Sequence, residues 1–435
     1  RLAELGKDVV LVEKDKLGGT CLHRGCIPTK ALLHAGEVAD AARGAADIGV
    51  DVTFSGIDPA RVRAYREGIV AKKFKGLEGL ISARGIRVVQ GEGVLAAGPT
   101  VRVGDDVYRG TDVILATGSY SRSLPGLEIG GRVLTSEQAL DLDVIPERVV
   151  VLGGGVIGVE FASVWRSFGV DVTIVEALPH LLPAEDVASS KALERAFRKR
   201  GISLQLGKRF ASLSQSADSA TVTLDDGSEL VADYVLVAVG RGPVTAGLGY
   251  EEAGVVLDRG FVQTDERLRT AADHVWAVGD IVPGLQLAHR GFQQGIFVAE
   301  EIAGLAPVLV PDVDVPRVAY SHPEVASVGL TEAQAQDRYG SDAVKAYEYN
   351  LAGNGRSEII GTSGIVKIVR RVDGPVVGAH LVGDRVGELI SEAQLAVGWE
   401  AHPEDIAPFV HAHPTQSEAL GEAFLALAGK PLHAL

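Results

Sequence analysis

The apolar positions of this chain fall into short runs that alternate with amphipathic stretches, the rhythm of strands and helices taking turns. The clearest passage is "ERVVVLGGGVIGVEFASVWRSFGVDVTIVEA", residues 147–177. A continuous apolar run at 149–152 predicts a buried strand, Phe161, Val164 and Phe168 recur at helical spacing, and a second run at 170–175 predicts a strand that ends on Glu176. Three more β-branched runs stop at a glycine: "DVILATGS" at 112–119, "YVLVAVGRG" at 234–242 and "HVWAVGDI" at 274–281. After a proline-rich stretch at 304–316, which reads as a linker, the rhythm changes. A hairpin is predicted over 364–383 around Asp373-Gly374-Pro375, with helices following over 385–399 and 415–428. The stretch 212–230 reads as another hairpin, turning at Asp226-Gly227.

Between the two strands of 147–177 lies Gly153-x-Gly155-x-x-Gly158. Strand, glycines, helix, strand and acid stand in the order of a complete dinucleotide fingerprint. The first glycines permit a tight turn and close approach of backbone to a pyrophosphate, which sits on the positive end of the helix. Glu176 is placed to accept hydrogen bonds from ribose hydroxyls. The opening "LGKDVVLVEK", 5–14, repeats the pattern of "FGVDVTIVEA", 168–177: Gly6 matches Gly169, Asp8 matches Asp171 and Glu13 matches Glu176. The N-terminus therefore reads as the back half of a second nucleotide unit, whose glycine loop would precede Arg1. Since the chain opens at Arg1 and contains no methionine, its start reads as truncated. Two units imply two dinucleotides. Asp280, following Gly279, is positioned to hold a ribityl hydroxyl or the phosphate region of a flavin.

A length of 435 residues suggests two to four domains. The net charge of −15 argues against nucleic acid or an anionic membrane surface as primary partner. No apolar run approaches a bilayer span and nothing at the N-terminus resembles a signal peptide, so a cytoplasmic location is expected. The only two cysteines, Cys21 and Cys26, share the stretch "GGTCLHRGCIPTK", 18–30. Two thiols in a chain this long do not make a structural disulfide framework, and a zinc site would want more ligands than are near. Two inert cysteines or a dithiol that cycles with its disulfide remain, and their proximity favours the dithiol. In "HAHPTQSEALGEAFLALAGK", 411–430, Pro414 at a helix start would leave His413 just outside the helix, with Glu418 one turn in and able to orient the imidazole. Dithiol exchange needs such an acid-base group.

The elements "GGTCLHRGCIPTK", "ATGS", "GGGVIGVE", "VGRGP", "AVGD", "LAHRG" and "HAHPTQSE", in this order, resemble the flavin-dependent pyridine nucleotide disulfide oxidoreductases across nearly the whole chain, and most of all the branch that oxidises dihydrolipoamide. The resemblance implies an α/β fold with two Rossmann-like domains, for FAD and NAD, and a C-terminal α+β dimerisation domain. Its boundaries would be 1–120 for the FAD domain, 121–240 for the NAD domain, 241–311 for the return of the FAD domain and 312–435 for the interface domain. It implies that Cys21 exchanges with substrate, that Cys26 forms the thiolate beside the flavin, and that His413, held by Glu418, serves the disulfide of the other subunit, with His411 secondary. Lys30 and Glu160 would be the ion pair near the flavin. Glu13, Thr117, Gly118, Ser119, Gly279, Asp280 and Ala288 would contact FAD, and Gly153, Gly155, Gly158, Glu160, Glu176 and Gly242 would serve NAD. No metal is expected. The implied activity is oxidation of protein-bound dihydrolipoamide to lipoamide with hydride passing to NAD+, by a homodimer serving the lipoyl domains of 2-oxo acid dehydrogenase complexes. A glutathione- or mycothiol-type reductase using NAD(P)H, or a flavoprotein subunit without turnover, stays open as an alternative.

Overall fold

The computed structural model describes residues 1–433. The chain divides into two compact units, 1–31 with 60–122 and 241–312, and 32–59 with 123–240 and 313–435. Among the described residues no helix is long and apolar enough to cross a membrane.

In the first unit, two parallel pairs form the frame: Val10–Glu13 beside Arg87–Gln90, and Val113–Leu115 beside Val275–Ala277. The second pair is the interior one. All of Val275–Ala277 is buried, and Leu115, Val275 and Ala277 share a core with Leu95, Leu248, Tyr250 and Ile281. Short antiparallel strands at Gly93–Ala96, Thr100–Val103 and Asp106–Arg109 form a separate sheet. The predicted runs at 112–119 and 274–281 thus become partners, each delivering its glycine to the same end of a parallel pair.

The second unit carries a five-stranded parallel sheet in the order Ser203–Leu206, Asp171–Glu176, Arg148–Leu152, Tyr234–Val237, Val133–Leu134. Its central strand is apolar and buried from Val149 to Leu152, as a strand with helices on its faces must be. The crossover from Arg148–Leu152 to Asp171–Glu176 is the helix Val156–Ser167, predicted by the spacing of its apolar residues. Because the two strands are neighbours in register, Val175 opposite Leu152, the glycine turn and Glu176 emerge side by side. The hairpin expected over 212–230 turns at Asp226-Gly227 and gains a third strand, Phe210–Gln215.

The C-terminal part of this unit is a five-stranded antiparallel sheet, Arg317–Ala319, Glu324–Gly329, Val376–Gly383, Ile365–Arg371 and Val344–Asn350 in spatial order. The expected hairpin around Asp373-Gly374-Pro375 joins two of these strands. Helices Val386–Gly398 and Glu418–Leu427 cover the sheet, sharing a core that includes Val366, Ile368, Leu381, Ile390, Ala393, Leu420 and Phe424.

Candidate active site

The dinucleotide turn of the second unit is shaped by what its glycines exclude. A Cβ on Gly153 would collide with the Ala238 carbonyl, and one on Gly158 with the carbonyl of Gly153 itself. A Cβ on Gly155 would meet nothing within 4 Å. Gly155 is also the N-cap of Val156–Ser167, with no side chain capping that end. An open backbone at an uncapped helix N-terminus is what a pyrophosphate needs, so the turn fits a dinucleotide. Glu176 is buried, and its two carboxylate oxygens accept the N–H groups of Gly154, at 2.7 Å, and Leu178, at 2.8 Å. Glu160, buried on the helix, accepts the Tyr320 N–H at 3.0 Å.

Glu13 repeats the device in the first unit: its carboxylate accepts the N–H of Asp15, two residues on, at 2.8 Å, as that of Glu176 does with Leu178. The internal match of 5–14 with 168–177 is therefore one of hydrogen bonding as well as of letters. At the ends of the parallel pair, Gly118 and Gly279 both have φ of 75° and open space where a side chain would stand. Ser119 Oγ donates to Asp280 Oδ2 at 2.5 Å, and Gly279 N–H donates to Gln294 of the helix Ala288–Ile302 at 2.7 Å. Two open turns beside a carboxylate fit the flavin side of FAD. Thr117 Oγ1 bonds the Val244 carbonyl and lies 3.0 Å from the Tyr250 hydroxyl. Gly242 belongs to this unit too, in the strand Arg241–Pro243 against Ser119–Ser121, where the Tyr120 ring lies over it. Two residues of this network had no assignment from sequence: Arg241, which donates to the hydroxyl and the carbonyl of Ser119, each at 2.7 Å, and Gln294. Both lie in or next to quoted stretches, but their partners are remote in the chain.

The thiols occupy a helix-to-helix junction. Cys21 lies in Gly19–Arg24, and Cys26 is the first residue of the helix Cys26–Gly44. Both are half-buried. Hydrogen bonding to Cys26 and burial push the Cys21 thiol far up, while the charge of Lys30 pulls the other way. His23 is tied to the Leu17 carbonyl at 2.8 Å and edges onto Phe74, which leaves it a structural part of the junction.

His413 and Glu418 meet as expected, Nδ1 to Oε1 at 2.9 Å, with the His413 side chain 80% exposed. Burial would raise the Glu418 carboxyl, but the Thr415 N–H, at 2.7 Å, and the His413 ring outweigh it and hold the carboxyl below its ordinary value. The expected helix start is corrected: the helix is Glu418–Leu427, so Pro414 is not in its first turn and Glu418 is its first residue. Side chains explain the delay. Thr415 Oγ1 donates to the Ala412 carbonyl at 2.6 Å and Glu418 takes the Thr415 N–H, bonds that compete with the helical ladder. His411 has a carboxylate of its own: Nε2 lies 2.8 Å from Glu392, a bond that pushes its pKa up against the opposing effect of burial.

Among the described residues no cluster of His, Cys, Asp and Glu side chains is arranged to hold a metal ion. The model of the pyridine nucleotide-disulphide oxidoreductase family matches residues 1–295, and that of the family's dimerisation domain matches residues 315–424. A dihydrolipoyl dehydrogenase of Bacillus subtilis is 38% identical over 100% of this chain and 95% of its own length. One from Thermus scotoductus is 37% identical, again over 100% of this chain and 95% of its own. Among solved structures, LpdA from Mycobacterium tuberculosis superposes with a TM-score of 0.90 at 27% identity, covering 98% of this chain and 96% of that one. The HOCl-induced flavoprotein disulfide reductase RclA from Escherichia coli does so with 0.86 at 28% identity, covering 97% and 95%. With an open dinucleotide turn, a thiol pair at a helix start and a carboxylate-held histidine all within the matched residues, the chain belongs to the pyridine nucleotide-disulphide oxidoreductase family.

Proposed function

We propose that this protein is an FAD-dependent dihydrolipoyl dehydrogenase, which oxidises dihydrolipoyl groups to lipoyl groups and reduces NAD+. The observation that carries the reading is that one chain holds both a thiol couple at a helix-to-helix junction and a histidine whose Nδ1 is bound to a carboxylate at 2.9 Å. Full-length likeness to dihydrolipoyl dehydrogenases supports it. FAD would be held by Glu13, Thr117, Gly118, Ser119, Gly279, Asp280 and Ala288, and NAD by the turn Gly153 to Gly158 with Glu160, Glu176 and Gly242. The cofactors, when bound, supply the transfer of two electrons from the dithiol to NAD+. For function we infer the division expected from sequence, with 1–120 and 241–311 serving FAD, 121–240 serving NAD and 312–435 the interface, whereas by compactness 32–59 groups with 123–240 and 313–435.

The chain's own residues handle sulfur and protons. With Nδ1–H given to Glu418, the His413 lone pair is on Nε2, and this nitrogen takes the proton of one substrate thiol. The substrate sulfur attacks Cys21 of the oxidised pair; a mixed disulfide forms and the Cys21–Cys26 bond breaks, leaving Cys26 as thiolate. Its place at the first turn of a helix and the Lys30 side chain one turn on favour that charge. The second substrate thiol then attacks the mixed disulfide, closing the lipoyl ring, and Cys21 leaves with a proton. Two electrons and two protons have moved from substrate to enzyme, and hydride transfer to NAD+ with release of one proton restores the disulfide. The dimerisation domain makes the working unit a homodimer, in which His413 of one subunit serves Cys21 of the other. Lipoyl domains of 2-oxo acid dehydrogenase complexes are the partners, and a reducing cytoplasm suits a dithiol that must cycle.

The test is a pair of assays on the purified protein: dihydrolipoamide with NAD+, and glutathione disulfide with NADPH. The first should exceed the second by about 10³-fold, because the Glu176 carboxylate, which this reading assigns to the ribose hydroxyls of NAD, would repel a 2′-phosphate. Comparable rates, or turnover with the second pair alone, would overturn the reading.

A further inference from the structure

The segment that presents His413, residues 407–417, contains neither helix nor strand. Much of it faces outward: Phe409 is 71% exposed and Val410 96%. With so little backbone bonding, the position of the His413 ring depends on side chains that fasten the segment. Three do so. Glu418 holds both His413 and the Thr415 N–H, Asn354 Nδ2 donates to the Thr415 carbonyl at 2.9 Å, and His411 turns inward, its side chain 14% exposed.

His411 is the fastening on the other side of His413. Its Nε2 is bound to Glu392 Oε1 at 2.8 Å, on the helix Val386–Gly398. Its other edge lies against the helix Glu418–Leu427 so closely that a Cβ on Gly421 would stand 2.6 Å from Nδ1 and 2.9 Å from Cε1. A glycine inside a helix is unfavourable relative to alanine, and here it vacates the space the ring fills. One ring nitrogen is thus bonded and the other is covered, so His411 has no nitrogen to offer a substrate.

We propose that His411 is a positioning residue for dithiol exchange: anchored between Glu392 and Gly421, it fixes the segment two residues before His413 and so holds that ring in phase with Glu418. The proposal rests on the dithiol reading of the site. It assigns to His411 a role distinct from acid-base chemistry and gives Gly421 and Glu392 a share in it.

The test uses the full-length, cofactor-loaded homodimer and three variants, His411→Leu, His411→Gln and Gly421→Ala. Glutamine keeps an amide N–H near the place of Nε2 and can still donate to Glu392, whereas the alanine methyl displaces the ring without touching its chemistry. Each variant is assayed for dihydrolipoamide oxidation, with kcat and KM separated, and for NADH oxidation by ferricyanide, which requires no thiol exchange. A misplacement of the base by about 1 Å costs about 100-fold in rate, so His411→Leu should lose kcat on that scale while KM stays within about threefold. Gly421→Ala should lose more than about tenfold, His411→Gln should return to within about fivefold of wild type, and ferricyanide turnover should stay within about twofold throughout. If His411→Leu does not fold, the other two variants decide. Full dihydrolipoamide turnover in Gly421→Ala overturns the proposal, as does a His411→Gln variant no better than His411→Leu. Loss of ferricyanide turnover in parallel with dithiol exchange in Gly421→Ala also overturns it, since the anchor would then serve the fold alone. Wild-type turnover tests the function reading separately: should another disulfide prove the substrate, that reading falls, and the same ratios measured with it still decide the role of His411.

Discussion

A thiol on the first residue of a helix faces the unpaired N–H groups of that turn, and Cys26 has Lys30 one turn further on as well. Cys21 is in the opposite situation, pushed far up by its hydrogen bond to Cys26 and by burial. On the proposed mechanism the last proton of the reduced pair stays on Cys21 and Cys26 carries the charge. With FAD bound, Cys21→Ser should show a long-wavelength thiolate-to-flavin absorbance in the resting protein, and dihydrolipoamide oxidation should fall by about 10³-fold or more. Absorbance spectra of both serine variants check this: the band present in Cys26→Ser and missing from Cys21→Ser would exchange the two roles. The same contrast explains why the spacing of the letters located the pair, while only the family resemblance separated its members. Proximity of two cysteines is visible in the letters, but which one starts a helix is a matter of backbone.

At the scale of the turn, two glycines a few residues apart make opposite demands. Gly158 has no room for a Cβ, while Gly155, at φ −75°, has both room and an ordinary backbone. Gly158→Ala should destabilise the protein by about 1–3 kcal/mol, the usual cost of forcing a methyl into a filled space. Gly155→Ala should leave stability within about 0.5 kcal/mol, since its methyl meets no protein atom within 4 Å, and, on the proposed reading of the turn as a pyrophosphate site, weaken NAD+ by more than about tenfold. Urea unfolding and NAD+ titration on both variants separate the two effects; equal losses of stability would show that Gly155 is a packing glycine. This element was readable in advance because strand, turn and helix follow one another and each has its own period. The start of the C-terminal helix was not, since Thr415 and Glu418 spend their side chains on the backbone that Pro414 seemed to free for it. The Ser119–Asp280–Arg241 network and the His411–Glu392 bond also escaped, as each joins residues with no shared local pattern.

For the whole molecule, the thiol pair belongs to one unit and the histidine-carboxylate pair to the other. If the base serves the partner subunit, two dead parents should complement. Cys21→Ser and His413→Ala homodimers are each expected to be inactive. Random exchange at equal input makes about half the dimers mixed, each with one intact site, so about a quarter of wild-type activity should return. Subunit exchange verified by mass, with no activity recovered, would place His413 and Cys21 of one chain in the same site. The buried Glu176 carries a different kind of consequence. Because its oxygens hold the Gly154 and Leu178 N–H groups, the carboxylate proposed to discriminate between nucleotides is also a brace of the turn. A lineage drifting toward phosphorylated nucleotide would have to give up that brace before gaining a cationic side chain in its place. The intermediate would bind both nucleotides poorly and fold less well, a valley that makes cofactor preference in this chain slow to evolve and resistant to a switch by one substitution.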